Sequence, residues 1–198
     1  PDYATFAAAV ADLSTYGICG NVIFDVRDGI YSEQITLPSL VSSDATHTVT
    51  FRSENANANL VTLTFAGTSA TDNYVVRFSN SDFYRFENMT MENTGTAFGR
   101  VLDFTGGSDD NIVKGCRLIA AAVNSTSNNL AVINSVGGND NNNLFKDNLV
   151  QGGGYGAYWW GASIASPEVG NTFEGNKFMN SYYMGTYFYY NNNLTFKG

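Results

Sequence analysis

A chain of 198 residues is long enough to bury a sizeable core, and this one carries a net charge of −8 with a pI near 4.4. Its ten lysines and arginines are scattered, which argues against nucleic acid or an anionic membrane surface as partner, since both need a clustered basic footprint. No apolar run approaches the ~18 residues of a membrane span, so membrane insertion is not expected.

The first stretch, Asp2–Gly17, is the one persuasive helix. Phe6, Val10 and Leu13 recur at helical spacing among alanines, Asp2 or Thr5 can cap the start, and Gly17 can end it. Asn21–Leu37 then reads as two extended runs around the Asp28-Gly29 turn. Three segments follow one another here: Y-A-T-F-A-A-A-V at 3–10, V-I-F-D-V-R-D-G-I-Y-S-E-Q-I-T-L at 22–37, and H-T-V-T-F-R-S-E-N at 47–55.

In that order they resemble the N-terminal entry of right-handed parallel β-helix proteins of the pectin-lyase-like group, pectin methylesterases in particular. They are also similar to β-helix segments in large secreted surface proteins of bacteria that use type IX secretion. The resemblance covers about the first third of the chain. It implies a fold, an all-β, right-handed parallel β-helix whose short N-terminal α-helix caps the open end, more than it implies an activity.

The rest of the chain agrees in repeat style. Asn55–Asn59 is a polar loop, Leu60–Phe65 a strand, and from Tyr74 the coils are regular. Phe86, Val113, Phe145, Phe173 and Phe196 are each followed by a charge (Glu87, Lys114, Lys146, Glu174, Lys197). A residue that tolerates positive φ comes next: Asn88, Gly115, Asp147, Gly175, Gly198. The apolar member recurs after 27, 32, 28 and 23 residues, a period that means stacked repeats rather than a closed globule. Each copy reads as strand, one-residue left-handed bend, strand.

A third run precedes each bend: 76–78, 102–104, 131–133, 162–164 and 188–190, with outer members inward and the middle one outward. Turns are expected at Gly106–Asn111, Gly137–Asn143 and Ser166–Gly170. No linker or composition break interrupts this pattern, so 1–198 is one domain, with 1–18 as cap and 19–198 as coils. The chain opens at Pro1 and stops inside a repeat. It therefore reads as a piece of a longer secreted or cell-surface protein, with further coils or domains of the same polypeptide as neighbours.

Candidate chemistry is sparse. A pectin methylesterase site, as the resemblance implies it, needs paired aspartates on adjacent coils, an arginine and glutamines supporting an oxyanion. Only Asp103, with Arg77 one coil earlier, matches, and a stacked ion pair on an outer face explains both. No other cofactor is indicated; Asp103, Asp109 and Asp110 form the densest acidic group and would bind calcium weakly at best, because that ion wants six to eight oxygens. His47 has no Ser or Cys partner motif and reads as a turn residue. Cys19 and Cys116 are expected as free thiols.

The compositional event that stands out is aromatic. Tyr155, Tyr158, Trp159, Trp160, Tyr182, Tyr183, Tyr187, Tyr189 and Tyr190 crowd the last coils. Adjacent pairs such as Trp159-Trp160 cannot both point inward, and exposed rings on rigid strands are what sugars stack on. Tyr158, Trp159, Trp160, Tyr182, Tyr183, Tyr187 and Tyr189 are thus the candidate glycan-binding residues, against the plainer reading that these rings fill a longer loop or pack against further coils. The leading reading is a non-catalytic β-helix module of a secreted or cell-surface bacterial protein, an adhesin, stalk or glycan-binding segment. Its candidate partner is a polysaccharide or cell-surface glycan. The alternative is a polysaccharide lyase, esterase or hydrolase whose site lies partly outside this segment.

Overall fold

The computed structural model describes residues 3–198. They form a parallel β-solenoid with three sheets along its length. The first sheet has seven strands, from Val22–Val26 to Thr195–Lys197; the second has six, from Gly29–Ser32 to Lys177–Met179. The third comprises Ile35–Leu37, Val76–Ser79, Leu102–Thr105, Ala131–Val136, Tyr155–Trp160 and Met184–Tyr189. Neighbouring strands come from successive coils, so each backbone group pairs along the axis and the interior fills with side chains alone.

Helix α1 (Phe6–Tyr16) lies against the first coil. Thr5 caps it by accepting from Ala8 N at 3.1 Å, and Gly17, at φ 66°, closes it with a bond to Leu13 O. The Glu33 carboxylate accepts from Phe6 N and Ala7 N, placing a negative charge at the positive end of the helix. Asp2, the other candidate cap, is outside the described residues. Phe6, Ala9 and Leu13 turn inward, and Phe6 packs 5.6 Å from Phe51 and 5.2 Å from Tyr31, so the helix covers apolar strand interior that would otherwise meet water. Among the described residues no helix is long and apolar enough to cross a membrane.

The repeat column is as the spacing requires. Phe24, Phe51, Phe86, Val113, Phe145, Phe173 and Phe196 sit in register along the first sheet. Their rings stack where aromatics meet, at 4.7 Å for Phe24–Phe51 and 4.6 Å for Phe145–Phe173. The bends that follow Phe86, Val113, Phe145 and Phe173 have positive φ: Asn88 53°, Gly115 63°, Asp147 55° and Gly175 64°. Glycine alternates with Asn or Asp here for a steric reason. A Cβ on Gly115 would meet Asn88 Oδ1, and one on Gly175 would meet Asp147 Oδ1, so a side chain there would require the amide or carboxylate of the coil below to swing aside.

Asparagines at the coil corners knit one turn to the next. Asn111 Oδ1 accepts from Tyr84 N, Asn143 from Asn111 N and Asn171 from Asn143 N; Asn148 Oδ1 accepts from Cys116 N, and Asn176 from Asn148 N. These are inward positions where a corner would otherwise strand backbone N–H groups. On the outer face Glu174 bridges Lys146 at 3.1 Å and Lys197 at 3.2 Å, exposed pairs of small energetic weight.

The third sheet departs from the expected register. Val132 is buried, not outward; Asn134 pairs with Asp103, because Ala131 enters the strand directly from the 3₁₀ turn Asn128–Leu130 and the matched stretch begins two residues later. Ala162–Ile164 is no strand at all: Ser163 closes a tight turn on Ser166, and Ile164 is exposed. The strand of that coil is Tyr155–Trp160, hidden in sequence by its five large aromatic and glycine positions, and the next is Met184–Tyr189, ending at a left-handed Tyr190.

Both cysteines are free, Cys19 exposed and Cys116 buried beside the bend, where burial pushes its thiol up to about 12. An alkylating agent is therefore expected to label Cys19 in the native protein and Cys116 only after unfolding. Mass spectrometry before and after denaturant checks this; rapid double labelling of the native chain would contradict the buried assignment.

Candidate functional site

The outer face of the third sheet brings together most of the residues the sequence singled out. Its central outward column is Thr36, Arg77, Asp103, Asn134, Tyr158 and Tyr187, one residue per coil. Two places along, Val136, Trp160 and Tyr189 form a second column. The first coils are polar and the last aromatic.

In the polar half, Asp103 accepts from Arg77 Nε at 2.9 Å, Arg100 Nη1 at 3.0 Å and Asn134 Nδ2 at 2.9 Å. The Arg77–Asp103 pair spans adjacent coils as expected, but Asp103 is 0% exposed, so the exposed-pair expectation is corrected. Arg100, contributed by the loop three residues before, covers it, held in turn by Asn128 O at 3.1 Å. The Arg77 guanidinium also lies 3.8 Å above the Tyr74 ring, whose hydroxyl is 2.9 Å from Thr36 Oγ1. Both carboxylate oxygens are engaged, which makes Asp103 an anchor rather than a free nucleophile or base. Nothing in the local sequence pattern around Tyr74, Arg100 or Asn134 marks them; only the three-residue spacing of Arg100 and Asp103 hints at a contact.

In the aromatic half, alternation sorts the rings. Trp159 points inward and is fully buried between Phe104, Phe145 and Phe173, so it drops out as a glycan contact. Tyr158 points outward but is only 8% exposed: Tyr187 stacks on it at 5.0 Å and 17°, and Tyr155 meets it edge-on at 5.0 Å. Burial raises the Tyr158 hydroxyl above its ordinary range, so it is neutral at any physiological pH. Trp160 and Tyr187 are half-buried; Tyr189 at 43%, Tyr182 at 53% and Tyr183 at 52% reach solvent. Trp160 packs 5.2 Å from Tyr189, and Tyr183 packs 5.5 Å from Tyr155, joining the cluster through a ring outside the candidate set.

The acidic group suggested for calcium divides. Asp103 is committed to its arginines, while Asp109 and Asp110 lie in the following corner beside Asp82. There Asp82 Oδ1 accepts from Asp109 N at 2.7 Å and Asp109 Oδ1 from Asn141 N at 2.6 Å, so the carboxylates serve backbone amides. Among the described residues no three His, Cys, Asp or Glu side chains are grouped to hold a metal ion. His47 Nδ1 meets Asp44 at 2.9 Å in a surface turn.

No protein-family model and no curated protein matches the chain. Two solved structures do. A deglycosylated pectin methylesterase from Aspergillus niger aligns with TM-score 0.55 and 16% identity, covering 98% of this chain and 82% of that one. A penultimately deglycosylated form of the same enzyme aligns with TM-score 0.48 and 15% identity over the same shares. At such identity the likeness speaks to architecture, and the chain is a parallel β-helix of the pectin-lyase-like fold.

Proposed function

We propose that this chain is a non-catalytic β-helix module of a secreted or cell-surface bacterial protein, an adhesin or stalk segment that holds a polysaccharide against the outer face of its third sheet. The observation that supports this reading is the outward aromatic group Trp160, Tyr187 and Tyr189, set on stiff parallel strands, with Tyr183 in the bend just before the last of them, beside the Arg77–Asp103–Arg100 cluster. Rings on successive coils, ~4.8 Å apart, make a strip along which a sugar chain can lie. A net charge of −8 disfavours a polyanion, so the fitting ligand is a neutral or esterified chain.

The esterase reading has the fold of the Aspergillus enzyme in its favour, but the outward column holds one carboxylate, Asp103, and three donors close it. A two-carboxylate mechanism has no second member in that column.

Each ring contact is expected to contribute ~1 kcal/mol, so losing three should weaken binding by about two orders of magnitude. Calorimetry or affinity electrophoresis with a neutral glucan, methyl-esterified pectin and polygalacturonate checks it. Binding of the first two should fall about a hundredfold in the triple variant Trp160→Ala, Tyr187→Ala, Tyr189→Ala. Unchanged binding would reject the face, and methanol release from esterified pectin would replace the module reading by the enzyme one.

A further inference from the structure

The corners that follow the third sheet hold a buried acidic pair on the side away from the aromatic face. Asp140 closes the corner after Ala131–Val136, and Glu168 sits in the corresponding corner one coil later, paired in register with Asn191. Both are 0% exposed. Ser135, inward on the strand between them, has its Oγ 2.7 Å from Asp140 Oδ2 and 3.2 Å from Glu168 Oε1. Asp140 Oδ1 accepts from Ser108 N at 2.7 Å and Gly107 N at 3.1 Å. Glu168 Oε2 is buried without a partner.

The surroundings supply no positive charge. The coil below presents Asp109 to this corner, with Asp110 beside it and Asp82 one coil further down; the strands beside it present Ser135 and Trp159, and the coil above Asn191. Among the described residues, no lysine, arginine or histidine forms an ion pair with any of these five acids. A hydroxyl has one proton to give, so Ser135 cannot satisfy two carboxylates. Asp140, fed by two amides and the serine, is the member equipped to stay ionised. Glu168 is reached only by Ser135 and the Asp140 backbone N–H and has no donor on Oε2, so it is the member that holds a proton.

We propose that Glu168 is held as the neutral acid at neutral pH, that its Oε1–H donates to Ser135 Oγ while the Ser135 hydroxyl donates to Asp140, and that this one-proton relay clasps successive coils until alkaline pH removes the proton. Burial, reinforced by the neighbouring Asp140, raises Glu168 to about 8, and burial raises Asp140 to about 6, in keeping with the assignment. For an acid whose folded pKa lies above its unfolded value, the folded state binds the extra proton. Stability is therefore full below about pH 4.5, declines as pH rises, and levels off past about pH 8.

The relay ties Ser135 and Asp140 of one coil to Glu168 of the next, and the same strands carry Asn134, Tyr158 and Trp160 on their other side. Loss of the proton would put a second uncompensated charge inside the coil. The device is thus a pH limit built into the part of the solenoid that bears the aromatic strip, and it holds whether or not that strip binds sugar.

Two measurements test it. In chemical unfolding between pH 6 and 9, above the range in which Asp140 titrates, the wild-type equilibrium should shift towards unfolding by about tenfold per pH unit up to about pH 8. In Glu168→Gln, whose amide mimics the neutral acid, that slope should flatten by the one-proton share; equal slopes in the two proteins would overturn the proposal. Infrared spectra of the wild-type chain labelled with ¹³C-glutamate need no variant. They should show one protonated carboxyl band at pH 7 that bleaches by pH 9, and its absence at pH 7 would equally overturn it.

Discussion

Asp103→Ala is expected to destabilise the protein by about 3–5 kcal/mol, because it leaves two guanidinium groups facing each other with their shared carboxylate gone. The starting geometry is specific. Three donors, from Arg77, Arg100 and Asn134, converge on one fully buried side chain and belong to three consecutive coils. Removing it strands Asn134 Nδ2 as well, adding an unpaired buried donor to the like-charge repulsion. For a chain of this size, with ~2–4 °C per kcal/mol, melting should fall by roughly 10 °C. Asp103→Asn keeps the volume but not the charge and should fall between wild type and the alanine variant. Arg77→Ala should cost less than either, since its side chain is a quarter exposed and Arg100 still neutralises the aspartate. Denaturant unfolding of the three variants checks the order; an Asp103→Ala effect under about 1 kcal/mol would show that the cluster is no anchor.

Trp159→Ala should cost a similar ~3–5 kcal/mol, while Trp160→Ala, one residue on, should cost about 1 or less. The two side chains leave the same strand on opposite faces. Trp159 lies 5.1 Å from Phe104, 5.4 Å from Phe145 and 5.9 Å from Phe173, the rings that hold the third sheet to the first, and no solvent reaches it. Its deletion opens a cavity between stacked coils that cannot collapse, because its strand, Tyr155–Trp160, is fixed by hydrogen bonds to the coils above and below. Trp160 is half-buried on the outer face, so its loss removes surface contacts with Tyr158 and Tyr189 and the sugar platform with them. Equal stability losses in the two variants would place both rings in one environment and refute the alternation.

What could be read from the residues was whatever repeats locally. The Phe86–Val113–Phe145–Phe173–Phe196 column and its left-handed bends were legible, since an inward apolar residue followed by Gly, Asn or Asp has one conformational meaning wherever it occurs. The capping helix was legible for the same reason: Thr5 and Gly17 are local start and stop signals around an apolar face. The phase of the third strand was not. A-V-I at 131–133 and A-S-I at 162–164 alternate as well as the true pairing segments do, and a one-residue change of phase turns every side chain to the opposite face. Only the hydrogen bonds from neighbouring coils choose among such frames, which is why Val132 is inside, Asn134 reaches Asp103, and Tyr155–Trp160 rather than 162–164 carries the sheet.

The site divides along the same line. Sequence by itself determined the solenoid, its period, the crowding of aromatics in the last coils and the pairing of Arg77 with Asp103, all consequences of spacing along one chain. Tertiary structure alone decided which rings face water, that Arg100 and Asn134 close over Asp103, and that Asp140 and Glu168, 28 residues apart, meet through Ser135 inside the coil. The physical reason is that burial and charge compensation are properties of what stacks above and below a residue. In a solenoid those neighbours lie a whole coil away in sequence, at a distance that varies from turn to turn.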